Sequence, residues 1–260
     1  MPQSSSTAGP LDGRTALITG AARGIGHAIA QALASAGARV ALTDIDADGA
    51  RLAAEAIPGA SLGLGHDVTS ETAWAEVLET AQAALGPLRI LVNNAGTGRP
   101  GTPESHSWKH WQLVMTVNAG GTFLGCRAAI PAMRAAGGGV IVNIASCYAD
   151  RASPELTAYG ASKAAVTQLT RSVAVHCARA GDPVRCVSVH PGPVLTPMLE
   201  RAIADAPDPA DARAAWLRGV PTGRFADPAE VGGLVAWLCT DAAAYATGSA
   251  FTLDGGMTAI

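Results

Sequence analysis

Tyr159 and Lys163 stand four residues apart in the run Tyr159-Gly160-Ala161-Ser162-Lys163. On a helix this spacing puts the phenol and the ammonium on one face. A phenol with a pKa of about 10 is a poor base at neutral pH. A cation a few ångströms away favours phenolate and lowers that pKa. The pair therefore offers a general acid and base for moving a hydroxyl proton. Composition argues against accident: of 18 basic residues only Lys109 and Lys163 are lysine, and the chain has three tyrosines in 260 residues. Random placement would give roughly 0.02 such pairs. Ser146 precedes Tyr159 by thirteen residues and ends an apolar run, where its hydroxyl can steady a substrate oxygen or simply cap a turn. Asparagine occurs only at Asn93, Asn94, Asn118 and Asn143. Asn118 falls inside a helical pattern, where an amide is intrinsically unfavourable, so a buried polar task is expected of it.

A second group of residues could hold an anion. After the first apolar run the chain reads Thr19-Gly20-Ala21-Ala22-Arg23-Gly24-Ile25-Gly26 and then turns helical. A pyrophosphate needs bare N–H groups at a helix N-terminus. It also needs glycine, both where it approaches closely and where the turn takes positive φ. The spacing is Gly-x3-Gly-x-Gly, and tight strand–helix packing is its plainer alternative. Asp44, 18 residues beyond Gly26, closes the second run. There a carboxylate can accept from both ribose hydroxyls of NAD and would repel the 2′-phosphate of NADP. Arg23 pulls the other way, and Asp44 could instead cap the next helix, for which Asp46 is equally placed. Asp67, ending the third run, is placed to accept from an adenine amine or to cap the helix from Ser70.

The elements that position these residues follow from periodicity. Apolar runs at 15–19, 39–44, 61–66, 88–93, 140–145, 184–190 and 250–253 alternate with helical patterns at 24–36, 47–57, 70–85, 107–136, 157–180 and 228–239. Pro131 and the following glycines are read as the end of the long 107–136 helix. The strands are Val/Ile/Leu-rich on both faces, as in a parallel sheet buried between helix layers. The expected fold is α/β: a single-domain, doubly wound Rossmann fold with a seven-stranded, mostly parallel sheet and helices on both faces. Residues 1–10 read as a loose tail and 11–260 as the domain. The stretch 193–220, with two short helix-like pieces, reads as a substrate lid.

Composition excludes several classes. The charged fraction is 15%, the hydrophobic fraction 48% and the net charge −3, which argues against disorder and a basic nucleic-acid footprint. No run of about eighteen apolar residues lacks Gly, Asn or charge, so no membrane span is expected. The five cysteines are widely spaced, with no CxxC pair, and read as reduced thiols of a cytoplasmic protein. His106 and His110 have the spacing of metal ligands but no third partner, so no metal is expected. His66, His176 and His190 read as satisfied structural histidines.

Taken together, Thr19-Gly20-x3-Gly24-x-Gly26, Asn93-Asn94-Ala95-Gly96, Asn118, Ser146, Tyr159-x3-Lys163, Pro191-Gly192-x3-Thr196 and Asp254-Gly255-Gly256 resemble the short-chain dehydrogenase/reductase family over about residues 11 to 256. The resemblance implies that Tyr159 is the general acid/base and that Lys163 lowers its pKa and binds the nicotinamide ribose. It implies that Ser146 steadies the substrate oxygen, and that Asn118 holds a water relaying protons through Lys163. Gly20, Arg23, Gly24, Ile25, Gly26, Asp44, Ile45, Asp67, Val68, Asn94, Ala95, Gly96, Pro191, Gly192, Val194 and Thr196 would join Tyr159 and Lys163 in binding the dinucleotide, Thr196 and the backbone of Val194 fixing the carboxamide. Val187 and the surroundings of His176 depart from the common pattern, where asparagine and an acidic residue are frequent.

The residues flanking Ser146 and the lid are apolar: Cys147, Tyr148, Pro193, Leu195, Met198 and Leu199 are the expected substrate wall, although lid residues could instead pack the lid to the body. The stretch 172–198 is similar to bacterial hydroxysteroid and cyclic-alcohol dehydrogenases. The expected activity is NAD-dependent interconversion of a secondary alcohol and a ketone, with an apolar cyclic, aryl or steroid-like substrate and NADP the less favoured cofactor. An NADPH-dependent 3-ketoacyl carrier-protein reductase is a second reading, and a nucleotide-sensing regulator without catalysis a third. The long apolar helices at 107–136 and 157–180 carry more apolar surface than one sheet face covers, and the resemblance implies a homotetramer.

Overall fold

The computed structural model describes residues 9–259. Most of the tail expected over residues 1–10 lies outside the described residues. From Leu11 the chain is anchored, since Leu11 is buried and its N–H donates to the Ala36 carbonyl at 2.9 Å.

Strands and helices alternate as the apolar pattern demands. They run β1 (Thr15–Thr19), α1 (Gly24–Ser35), β2 (Arg39–Asp44), α2 (Ala47–Glu55), β3 (Ser61–Gly65), α3 (Glu71–Leu85), β4 (Leu88–Asn93), α4 (Trp108–Met115), α5 (Gly121–Ala135), β5 (Gly139–Ile144), α6 (Thr157–Ala180), β6 (Val184–Pro191), α7 (Pro197–Ala204), α8 (Pro209–Leu217), α9 (Pro228–Leu238) and β7 (Ala250–Leu253). Among the described residues the sheet has seven strands in the order β3-β2-β1-β4-β5-β6-β7. Every pairing is parallel. The order reverses between β1 and β4, so a crevice opens at the C-terminal ends of these strands.

Alternation along the strands builds two cores. Ala16, Ile18, Val40, Leu42, Ile90 and Val92 face one layer, where they meet Ile29, Leu33, Val231, Val235 and Leu238 of α1 and α9. Leu17, Leu91 and Ile141 face the other, against Trp74 and Leu78 of α3, Ala129 and Met133 of α5, and Val173 and Cys177 of α6. Burying each large side chain contributes about 1.5–3 kcal/mol, which is why both strand faces had to be apolar.

Two expectations about the long helix are corrected. It is interrupted: residues Thr116–Gly120 form a π turn between α4 and α5. Pro131 lies inside α5 and does not mark its end. By length and composition alone Trp108–Ala135 could cross a membrane, with a mean hydropathy of 1.2. Here it lies on the sheet and buries Val114, Asn118, Cys126, Ala129 and Met133.

Candidate active site

The crevice is floored by the glycine turn. Gly20 and Gly24 have φ of +65° and +60°, and a Cβ on Gly26 would run into the carbonyl of Gly20. The turn is held from both neighbouring strands. Asp44 Oδ2 accepts from Ala22 N at 3.1 Å and its Oδ1 from Asp46 N at 3.1 Å. Asp46, not Asp44, caps α2 by accepting from Gly49 N. On the other side Asn94 Nδ2 donates to the carbonyls of Thr19 and Gly20, at 2.9 and 3.0 Å. Thr19 Oγ1 accepts from Asn94 N and Ala95 N, both at 3.0 Å. Arg23 is exposed at the N-cap of α1 with extended backbone, and Ile45 is 75% exposed beyond Asp44. Asp67 Oδ1 accepts from Oγ1 and N of Thr69, bonds that hold its carboxyl below the usual range. Ser70 is the cap of α3. Val68 is buried against Gly121, where a Cβ would stand 2.8 Å from its side chain.

The segment after β6 closes the other end of the crevice. Gly192 has no room for a side chain, because a Cβ would stand 2.7 Å from the Asp254 Cα. Its N–H donates to the Leu253 carbonyl. Val194 is buried, and Thr196 caps α7 by accepting from Leu199 N at 3.3 Å. The methyl of Thr196 lies 3.5 Å from where a Gly24 Cβ would be, so Pro191–Thr196 and the glycine turn face each other across a narrow gap. This cradle of glycines and open main chain suits a dinucleotide. Gly20, Gly24, Gly26, Asp44, Asn94–Gly96 and Gly192–Thr196 are the residues that would hold it, and when bound its nicotinamide would supply or accept a hydride.

Tyr159 and Lys163 project from the first turns of α6. Lys163 is 4% exposed, and its Nζ donates to the Ile144 carbonyl at 2.8 Å while lying 5.7 Å from the centroid of the Tyr159 ring. Asn118 sits in the π turn and is wholly buried. Its Oδ1 accepts from Thr97 N at 2.8 Å, and its Nδ2 donates to the Thr97 carbonyl and to Ser162 Oγ, both at 2.9 Å. Ser162 Oγ in turn donates to the Tyr159 carbonyl at 2.7 Å. Asn118 thus clamps the loop after β4 to the helix bearing Tyr159, and the π turn presents its amide sideways to both. The same loop lies on the tyrosine, for a Cβ on Gly98 would stand 2.9 Å from the ring edge. Ser146 is buried, and its Oγ accepts from Tyr148 N at 3.2 Å, capping the short turn Cys147–Ala149.

The electrostatics correct one expectation. Burial pushes the Tyr159 phenol up to about 12, with the nearby Ser146 hydroxyl working in the opposite direction. Lys163 does not reverse this. Its Nζ is engaged by a carbonyl and lies over the ring, not at the phenol oxygen, and its own burial brings it down to about 8. A lysine stripped of water gains from being neutral, which weakens its hold on a nearby phenolate.

The apolar wall also differs in part from expectation. Cys147 is buried, with Sγ 3.8 Å from Met257 Sδ, and packs with Tyr148 and Val220. Leu199 turns away into the lid, where it and Ile203 pack on Phe225 with Leu195, Trp216 and Leu217 beside them. Met198 is 66% exposed. Sequence reasoning missed Val220, Met257, Thr19, Ser162 and the carbonyl of Ile144. The paired glycines Gly255 and Gly256, at φ +64° and +87°, are the signal for a chain reversal that returns Met257 to the site. No group of three His, Cys, Asp or Glu placed to hold a metal occurs among the described residues.

A family model described as enoyl-(acyl carrier protein) reductase matches residues 20–258. A 3-alpha-(or 20-beta)-hydroxysteroid dehydrogenase of Mycobacterium bovis is 38% identical over 252 residues, 96% of this chain and 92% of that protein. An NADP-dependent (R)-specific alcohol dehydrogenase of Lentilactobacillus kefiri is 34% identical over 252 residues, 96% of this chain and 98% of that protein. A crystal structure of a short-chain type dehydrogenase/reductase from Mycobacterium marinum superposes with a TM-score of 0.89 at 35% identity, covering 96% of this chain and 97% of that one. The chain belongs to the short-chain dehydrogenase/reductase family. It is an oxidoreductase of the class that works with a nicotinamide cofactor.

Proposed function

We propose that this protein interconverts a secondary alcohol and a ketone with NAD(H), and that the substrate is a compact apolar molecule of cyclic, aryl or steroid-like form. The observation that carries the reading is the convergence of Ser146, Tyr159 and Lys163 beside an apolar wall of Cys147, Tyr148, Val220 and Met257. Ser146 holds the substrate oxygen, and Tyr159 takes the hydroxyl proton in oxidation or returns it in reduction. Lys163 orients the ribose beside the phenol and carries charge when the phenol ionises. The rest of the rate follows from position and a dry pocket. In this reading Asn118 keeps the proton path from Lys163 aligned, and residues 193–220 close over the substrate.

Asp44 supports NAD, because its carboxylate ends β2 beside the turn. Arg23, exposed on the same turn, favours NADP, as does the name of the Lentilactobacillus relative. A cytoplasmic location is part of the proposal and draws on five buried free thiols. The test is nucleotide reduction with NAD or NADP across cyclohexanol, hydroxysteroids and aryl carbinols. Turnover with NAD and a cyclic or aryl alcohol is expected. NADPH oxidation with an acetoacetyl thioester alone would instead establish the ketoacyl reductase reading, and no turnover in the parent, with nucleotide binding unchanged in Tyr159→Phe, would favour the non-catalytic one.

A further inference from the structure

His190 is wholly buried at the end of β6, and both of its ring nitrogens are engaged. Nδ1 donates to Asp150 Oδ2 at 2.9 Å, and Ser188 Oγ donates to Nε2 at 2.9 Å. The tautomer follows from the partners, since a carboxylate can only accept. Thr167 Oγ1 lies 3.4 Å from Nε2 and donates to the carbonyl of Lys163 at 3.0 Å. This imidazole therefore ties the loop after Ser146 to β6, and it packs beside Thr167 of the helix carrying Tyr159 and Lys163.

The placement of Asp150 gives the contact its consequence. Ser146 opens the tight turn Cys147–Ala149 and Asp150 closes it. Consecutive residues of β6 hold the two ends of that turn: Ala145 N donates to the Val189 carbonyl at 2.8 Å, and Asp150 binds His190. The turn itself is stiffened by Ala149 N donating to the Ser146 carbonyl and Asp150 N to that of Cys147. The Asp150 side chain is 53% exposed, so the pair adds little stability by burying charge. Its effect is geometric. We propose, on the secondary-alcohol reading above, that Asp150 and His190 form a positioning pair that holds the Ser146 hydroxyl against Tyr159. Burial keeps the imidazole neutral against the pull of the Asp150 carboxylate, and the charges of Arg171 and Lys163 oppose its charging further.

Asp150→Ala and Asp150→Asn separate this role from plain folding, because a half-exposed position tolerates both. In Asp150→Ala we expect kcat to fall by about 10- to 100-fold, the scale of a small misplacement at a reacting centre, with the KM for the nucleotide unchanged. The rising limb of the pH profile for alcohol oxidation should move to higher pH, because a Ser146 hydroxyl held near Tyr159 works against the rise that burial imposes on the phenol. Asp150→Asn retains an acceptor oxygen and should restore kcat to within about threefold of the parent. Unchanged kcat and pH limb in Asp150→Ala, an asparagine variant as impaired as the alanine one, or an equal loss in nucleotide KM would overturn the proposal. Ionisation of Tyr159, read by ultraviolet difference absorbance against Tyr159→Phe, should move upward in Asp150→Ala whether or not the right alcohol is in the assay. Absent turnover in the parent counts against the reading of function, whereas an unmoved phenol titration counts against the pair.

Discussion

Lys163 carries two opposed demands. Charged, it helps a phenolate form, and buried, it loses hydration and falls to about 8. Its folded pKa lies below the unfolded 10.5, so its contribution to stability is present above 10.5 and is lost as the pH falls to about 8. Below that, the native state holds an ammonium in a poorly hydrated place. Lys163→Met removes that cost, so its melting temperature relative to the parent should be most favourable below pH about 8 and should decline as the pH rises toward 10.5. Its kcat should fall by about 10²-fold or more, the scale of acid–base assistance, and its pH profile should change. A variant with the parent's turnover and profile would remove Lys163 from the chemistry. Asp44 makes a separate prediction. Asp44→Ala loses the acceptor for Ala22 N and the charge at the ribose position, so NAD binding should weaken and the ratio of NADP to NAD efficiency should rise. Steady-state kinetics with both nucleotides checks this.

At the scale of elements, the π turn is the part most closely tied to the site. Thr116–Gly120 turns the Asn118 amide toward both Thr97 and Ser162. An uninterrupted α-helix would aim that side chain differently, and π turns recur at functional positions for this reason. Asn118→Ala would leave the Thr97 N–H and carbonyl without their partners, at about 1–3 kcal/mol each where they stay dry. Denaturant unfolding should show a loss of a few kcal/mol, with activity reduced further because Tyr159 loses its clamp. A variant of parental stability and rate would mean that water replaces the amide freely. Such a turn carries no local signal. The pattern from Trp108 to Ala135 reads as one helix, and the extra residue per turn answers a demand made by a loop and a helix elsewhere in the chain.

At the scale of the whole molecule, apolar surface is left over. Trp108, Leu113 and Phe123 on α4 and α5 and Val175 on α6 are 47–70% exposed, and Trp237 and Tyr245 near the sheet's β7 edge are 46% and 105% exposed. Large side chains left exposed on helices that the family resemblance pairs across an interface motivate the proposal of a homotetramer. Sedimentation equilibrium should give about four times the 26.1 kDa chain mass, and a mass of one chain would refute it. Trp108→Ser together with Phe123→Ser should lower the mass and leave the fold's far-ultraviolet spectrum unchanged.

Local pattern was enough for much of this. Strands apolar on both faces can only be buried strands, the glycine turn and the Tyr159–Lys163 spacing are each read within a few residues, and the scarcity of asparagine is read from composition. Burial and partner choice are not local. That the phenol rises, that Lys163 binds the Ile144 carbonyl, that Leu199 packs into the lid while Met257 returns to the wall, and that His190 finds Asp150 forty residues away all depend on which segments the sheet order brings together. Residue type supplies the chemistry a side chain is able to do. The packed structure sets its hydration and its neighbours, and through them its pKa and direction.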